Sequence, residues 1–131
     1  MTKREIIFNK FGGRCAYSGT ILEPDWQIEH IVPKSIAIQS YDSLKAINDI
    51  SNLVPVQKII NHYKRSLTLS QFRNWYLADL HKRLKKLPKN PIVKSSQRHK
   101  EYMLKVAAYF DISPEKPFTG KFYFETLTEQ Q

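Results

Sequence analysis

Two short apolar segments in the first half of the chain, each limited by a proline, restrict the β-structure to a small sheet. Residues 26–32 read WQIEHIV and precede Pro33, while residues 53–56 read LVPV and contain Pro55. Proline has no backbone N–H to donate, so it ends a strand or confines it to an edge. We therefore predict two short strands. The first carries Glu29 and His30, two side chains that are costly to bury, within an apolar run.

The remaining pattern predicts an α+β fold in one domain that spans residues 1–131. Thr2 and Glu5 have the spacing of a capping box, so a first helix should reach Phe11 and stop at the glycine pair 12–13. Residues 12–20 should form a glycine-flanked turn, and residues 36–51 fit either a long connection or a helical turn. Further helices are predicted over residues 57–66, 70–87 (capped by Ser70) and from Ser95 or Ser96 to about 110, and a last strand over residues 120–126.

Charge is the most informative part of the composition. The chain has 21 Lys and Arg against 12 Asp and Glu, which gives a formal net charge of +9 at pH 7. Residues 80–100 contain eight of these cations and no acid. A basic surface of this kind commonly binds a polyanion, usually nucleic acid; the alternative is a helix face that only contacts solvent.

Membrane and disulfide-rich classes are disfavoured. No apolar run approaches the roughly 18 residues that cross a bilayer, and no apolar signal core follows the charged start MTKRE. Cys15 is the single cysteine, so an internal disulfide and a zinc site built only of cysteines are excluded. We therefore expect a cytoplasmic protein with no membrane partner.

A helical wheel of residues 57–67 separates an apolar stripe from a polar face. Ile59, Ile60, Tyr63 and Leu67 fall within about 100° of arc, which is wide enough to face a core. Asn61 falls on the other side, and an amide that lies among cations suits a phosphate and a metal ion better than bare solvent.

The order of these residues resembles the HNH nuclease motif, in which an acid-His pair is followed by an Asn and then by Asn or His. IEHIVPKS supplies Glu29 and His30, and NLVPVQKIINHYK supplies Asn52, Asn61 and Lys64. The nine-residue step from Asn52 to Asn61 is similar to the HNH domain of RNA-guided CRISPR effectors. The resemblance covers about residues 12–68.

The resemblance implies a ββα-metal core that grips one divalent cation and hydrolyses DNA phosphodiester bonds. Glu29 and Asn61 would be oxygen ligands of Mg²⁺ or Mn²⁺, and His30 would be the general base. Asn52 would bond across to backbone and thereby orient His30. Phosphate contacts are expected from five cations: Lys64, Arg65, Lys82, Lys85 and Lys86.

Two departures from the family pattern matter. Many relatives hold a structural zinc with two Cys-x-x-Cys pairs, whereas this chain keeps only Cys15 and has Gln57 and Ile60 at the later positions. We therefore expect no structural zinc, and a knuckle held by packing of Tyr17 and Ile21. Glu29 also stands where relatives often have Asp, which moves the carboxylate by one methylene.

Other interpretations stay open. His30, Asn52 and Asn61 are all compatible with structural roles, and Glu29 with that of a salt-bridge partner. His62 is expected to be a surface or substrate contact rather than a ligand. Trp75 either stacks on a base, or covers the edge of a groove, or packs against the helix that follows, and packing is favoured. As a whole, the chain is alternatively a DNA-binding module that does not cut, or the nuclease subunit of a larger restriction or mobile-element complex.

Overall fold

A two-stranded antiparallel sheet lies in the first half of the chain. In the computed structural model, which describes residues 1–33 and 48–129, β1 (Gln27–His30) pairs with β2 (Leu53–Val56). The register runs from Gln27 opposite Val56 to His30 opposite Leu53. Both predicted strands are therefore confirmed, and β1 ends at His30.

Helices make up most of the rest, so the α+β prediction is confirmed at the level of class. α1 (Lys3–Asn9) begins at Thr2, whose hydroxyl accepts the Glu5 N–H at 3.1 Å. The elements that follow are a 3₁₀ turn at Ile50–Asn52, α2 at Lys58–Lys64, α3 at Leu69–Gln71, a π-helical segment at Phe72–Leu77, α4 at Leu80–Lys85, α5 at Lys94–Tyr109 and α6 at Tyr123–Glu129. Among the described residues, no helix has the length and apolar character needed to span a bilayer.

In the second half of the chain, two helix starts and the continuity of one helix differ from the prediction. Ser70 does not cap the helical stretch after α2; Thr68 does, through a reciprocal capping box with Gln71. That stretch is also interrupted by the π-helical segment rather than running unbroken to residue 87. α5 starts at Lys94 without a side-chain cap, so Ser95 and Ser96 lie inside the helix.

The predicted terminal strand is wrong, because residues 123–129 form α6. The alternation of Phe122 and Phe124 suggested a strand, but the Glu125 carboxylate accepts the Phe122 N–H at 2.8 Å. This bond closes a turn at the position where a helix begins. The structure describes only residues 48–51 of the connection over residues 36–51. The rest of this connection, for which a helical turn is one of the two predictions, lies outside the described residues.

One aromatic core joins the glycine-rich turn to the helical second half. Tyr17, Phe72 and Phe122 are fully or almost fully buried, and the rings of Phe72 and Phe122 stack at 5.7 Å. A smaller cluster of Ile7, Trp26 and Leu53 fixes α1 to the sheet. Such aromatic groups supply much of the apolar area that a small domain buries.

Candidate active site

Two side-chain contacts join β1 to α2. Glu29 Oε2 lies 3.3 Å from Lys64 Nζ, and Asn61 Nδ2 donates to Gln27 Oε1 at 2.8 Å. Gln27 and Glu29 are two residues apart on the strand, so they share one face, while Asn61 and Lys64 are one turn apart on the helix. Glu29 and Asn61, the two predicted cation ligands, therefore lie on facing surfaces of β1 and α2.

Burial dominates the electrostatics of the Glu29–Lys64 pair. Burial raises the pKa of Glu29 above its ordinary value, with the Lys64 ammonium and the His30 N–H acting in the opposite direction. Burial also lowers the pKa of Lys64, and Glu29 partly offsets this effect. Each group therefore depends on the other to stay charged in a poorly solvated environment.

Lys64 as a phosphate contact is a prediction that the structure contradicts. Its side chain is 0% exposed and points into the protein toward Glu29. Ile60, Tyr63 and Lys64 are the buried side chains of α2, so the core-facing stripe is rotated toward Lys64 relative to the helical wheel. A buried ammonium of this kind requires an anionic partner, and Glu29 supplies it.

His30 lies at the end of β1. Its Nε2 is 3.1 Å from Asn48 Oδ1. Because neighbouring strand residues point to opposite faces, His30 points away from Glu29. His30 is also the last residue of β1, and beyond it the sheet no longer imposes this alternation. No hydrogen bond or ion pair joins the His30 side chain to Glu29 or Asn61 in the described parts of the chain.

Asn52 fixes the chain that leaves β1. Its Oδ1 accepts the Val32 N–H at 2.9 Å, and its Nδ2 donates to the Val32 carbonyl at 3.2 Å. The backbone carbonyl of Asn52 also accepts the Ile31 N–H at 2.9 Å. The expected bond from Asn52 across to backbone is therefore present directly beside His30, while a catalytic role for either residue stays a prediction.

The oxygen atoms between β1 and α2 are of the chemical type that binds a hard divalent cation. A carboxylate and an amide oxygen are the ligand types that Mg²⁺ and Mn²⁺ prefer. Glu29 Oε2 is buried without a hydrogen-bond partner of regular geometry among the described residues. Since the amide nitrogen of Asn61 is bound to Gln27, its Oδ1 is the ligand atom that this side chain offers. A cation that binds Glu29 Oε2 competes with the Lys64 ammonium for this oxygen.

A buried glutamine holds the end of the glycine-rich turn. The buried Gln57 amide donates to Thr20 Oγ1 at 3.0 Å and to the Ile21 carbonyl at 2.8 Å, and it accepts the Glu23 N–H at 3.1 Å. Tyr17 packs in the core as predicted, but Ile21 does not, because its side chain is 72% exposed. Three directional bonds thus connect residues 20–23 to the start of α2.

The other predicted phosphate contacts lie on the surface. Arg65 is exposed at the end of α2, and Lys82, Lys85 and Lys86 are exposed on α4. Arg83 is different, because its guanidinium donates to the Tyr63 hydroxyl at 3.0 Å and to the Tyr76 carbonyl. Arg83 therefore braces two helical elements.

Several contacts near the site were not found in the sequence. Asn48 and Tyr102, which bond to His30 and His62, carry no sequence signal because they are distant in the chain. Gln27 had a sequence signal, because it lies two residues before Glu29 and therefore on the same face of the strand. The packing predicted for Trp75 is wrong, because its indole is 61% exposed.

Comparisons with protein-family models, with curated proteins and with solved structures found no match for this chain.

Proposed function

We propose that this protein is an HNH-type endonuclease that hydrolyses DNA phosphodiester bonds with the help of one divalent cation. The observation that supports the proposal is the ββα succession itself. β1 and β2 pair in antiparallel fashion, α2 follows β2 directly, and the motif residues Glu29 and Asn61 lie on the facing surfaces of β1 and α2. The clamp that Asn52 forms beside His30 is a further local feature that suits this chemistry.

His30 is the proposed general base. With Asn48 Oδ1 as the acceptor, Nε2 carries the ring proton and Nδ1 is the basic nitrogen of the neutral imidazole. Nδ1 takes a proton from a water molecule, and the water oxygen forms a bond to phosphorus as the bond to the 3′ oxygen breaks. The leaving 3′ oxygen takes a proton from a second water molecule, which gives the 5′-phosphate and 3′-hydroxyl ends that the resemblance implies.

Glu29 and Asn61 are the proposed ligands of Mg²⁺ or Mn²⁺. When bound, such a cation neutralises the charge that develops on the phosphate oxygens and acidifies water. Lys64 would no longer pair with Glu29 in that state, and exposed Arg65 would contact the DNA backbone. Gln57 holds the glycine-rich turn throughout, so the proposal requires no structural zinc.

Nicking of a supercoiled plasmid in Mg²⁺ or Mn²⁺, with and without chelator, tests this proposal. We expect His30→Ala to abolish nicking while DNA affinity is nearly unchanged, because the imidazole acts on the water and not on the backbone. His81→Ala, on α4, is the matched control and should nick normally. Full activity of His30→Ala would rule out the role of His30, and an inactive wild-type protein would rule out the nuclease.

A DNA-binding module that does not cut is the second candidate. The specific observation in its favour is the Glu29–Lys64 ion pair, since a carboxylate that is already neutralised does not need a metal ion. In this case the wild-type protein binds DNA without nicking it, and Mn²⁺ does not stabilise the fold.

A further inference from the structure

A groove on the helical half of the molecule combines aromatic rings with cations. It has a volume of about 450 Å³ and lies between the end of α2, the π-helical segment and α5. None of the described side chains that line it is acidic. The rings and cations that bear on its chemistry are Trp75, Tyr102, His62, Arg65, Arg83 and His99. We call it the Trp75 groove.

The π-helical segment explains why Trp75 faces this groove. Phe72 and Leu77 are both 0% exposed although they are five residues apart, and the Ala78 N–H donates to the Arg73 carbonyl, also five residues away. The wider turn lets both apolar side chains reach the core. The indole of Trp75, between them, stays 61% exposed. π-Helical turns of this kind are often found at functional sites.

The walls of the groove are fixed before any ligand binds. The Tyr102 hydroxyl is 2.7 Å from His62 Nδ1, and the two rings meet edge to face at 5.6 Å. Arg83 is held by the Tyr63 hydroxyl and the Tyr76 carbonyl. Ordered walls reduce the entropy that is lost on binding.

We propose that the Trp75 groove binds an unpaired base of single-stranded DNA, with the base stacked on the indole and Arg65 and His99 contacting the flanking phosphates. An exposed indole is suited to stacking because every base offers a π-face, and cations alongside it follow the backbone. The adjoining depression beyond Tyr102 carries two acids and two lysines, Glu23, Asp25, Lys58 and Lys105, whereas no acidic side chain among the described residues lines the Trp75 groove.

This inference rests on the proposed function, which supplies DNA as the ligand. The groove also lies near the proposed site, because Asn61 and Arg65 belong to the same helix. A strand seated in the groove is one turn of α2 away from the proposed cation ligand. The groove would therefore bring single-stranded DNA, or a locally unpaired segment of a duplex, close to Asn61.

Binding in chelator, where no cleavage takes place, tests the groove separately from the chemistry. Fluorescence anisotropy is measured with a labelled oligothymidylate and with a duplex of equal length. We expect Trp75→Ala to weaken binding of the single strand about tenfold or more, and binding of the duplex by less than about twofold. Trp75→Phe should recover most of the affinity because it retains a stacking ring. Ile92→Ala, which removes another exposed apolar side chain, should have no effect.

The outcomes separate this inference from the nuclease proposal. Unchanged single-strand affinity in Trp75→Ala, or an equal loss for the duplex, overturns the groove whether or not the protein nicks plasmid. A Trp75-dependent preference for the single strand supports the groove even if no nicking is found.

Discussion

Glu29 and Lys64 form an ion pair inside the protein, with Oε2 and Nζ 3.3 Å apart and side chains that are 8% and 0% exposed. One partner is the proposed cation ligand on β1, and the other is a lysine on the core-facing side of α2. The same carboxylate therefore either neutralises a protein cation or binds a metal ion. The proposed nuclease must exchange one partner for the other.

Removing the lysine should destabilise the fold strongly. Lys64→Met leaves the Glu29 carboxylate buried without an opposite charge, and breaking a buried pair in this way costs about 3–5 kcal/mol of unfolding free energy. The double variant Glu29→Gln/Lys64→Met should recover part of the loss, because no charge is left buried. Urea unfolding measures both. Lys82→Met, whose partner Asp79 is exposed, is the control and should unfold almost as the wild type does.

Manganese should restore stability to the Lys64→Met variant. Without the competing ammonium, Glu29 and Asn61 are free to bind the cation, and a ligand that binds only the folded state raises its stability. We expect Mn²⁺ to raise the urea midpoint of Lys64→Met by more than it raises that of the wild type. Titration calorimetry should show tighter Mn²⁺ binding by the single variant and none by the double variant. Equal Mn²⁺ binding by the single and double variants would contradict Glu29 as a ligand.

Gln57 should be a major local determinant of stability. Gln57→Ala removes three part-buried hydrogen bonds between the start of α2 and residues 20–23, together with the packing of a side chain that is itself buried. We expect a loss of about 2 kcal/mol or more in chemical unfolding. Gln97→Ala, whose exposed amide donates to the Pro91 carbonyl, is the control and should cost about 0.5 kcal/mol or less. Stoichiometric zinc in the purified protein would contradict this account of the turn.

The elements with strong local signals could be predicted from the sequence. Thr2 begins α1, Pro33 follows the end of β1, and β2 has the predicted bounds. The bond of Asn52 to backbone was also expected. These features depend on neighbours in the chain or on the motif that covers residues 12–68.

The parts that could not be predicted depend on distant partners. Lys64 lies in the core only because Glu29 neutralises it from another element, and a helical wheel cannot anticipate this. The π-helical segment at Phe72–Leu77 reflects how two apolar side chains reach one core. α6 depends on the bonds of Glu125 to Phe122 and Arg73, which override the alternating pattern of the aromatic residues.

The exposed lysines of α4 should contribute to the salt dependence of DNA binding. Changing Lys82, Lys85 and Lys86 to Gln should reduce the slope of log affinity against log salt by about three units, because each phosphate contact contributes about 0.9. Anisotropy titrations over a range of salt concentrations measure the slope. The matched control removes three exposed cations elsewhere, Lys3, Lys105 and Lys116, and should leave the slope nearly unchanged. Equal slopes in the two triple variants would exclude α4 from the DNA surface.

Arg73 and Glu125 should make the attachment of α6 sensitive to acid. Arg73 Nη1 and Nη2 donate to the two carboxylate oxygens at 2.8 and 2.9 Å, and Nη1 also donates to the Gly120 carbonyl. The bond from Arg73 holds the pKa of Glu125 below its ordinary value of 4.5, and the Phe122 N–H acts in the same direction. A carboxylate with a lowered pKa in the folded state contributes stability that is fully present above pH 4.5 and is lost as the pH falls through the folded-state pKa.

Glu125→Gln removes this titration. The unfolding free energy of the variant, measured with urea between about pH 7 and about pH 3, should therefore fall less steeply with acid than that of the wild type. The variant should be less stable than the wild type near neutral pH, and the difference should shrink as the pH falls below 4.5. Glu115→Gln, at an exposed position, is the control and should keep the wild-type acid limb. A constant difference between Glu125→Gln and the wild type at every pH would show that the charge on Glu125 does not hold α6 in place.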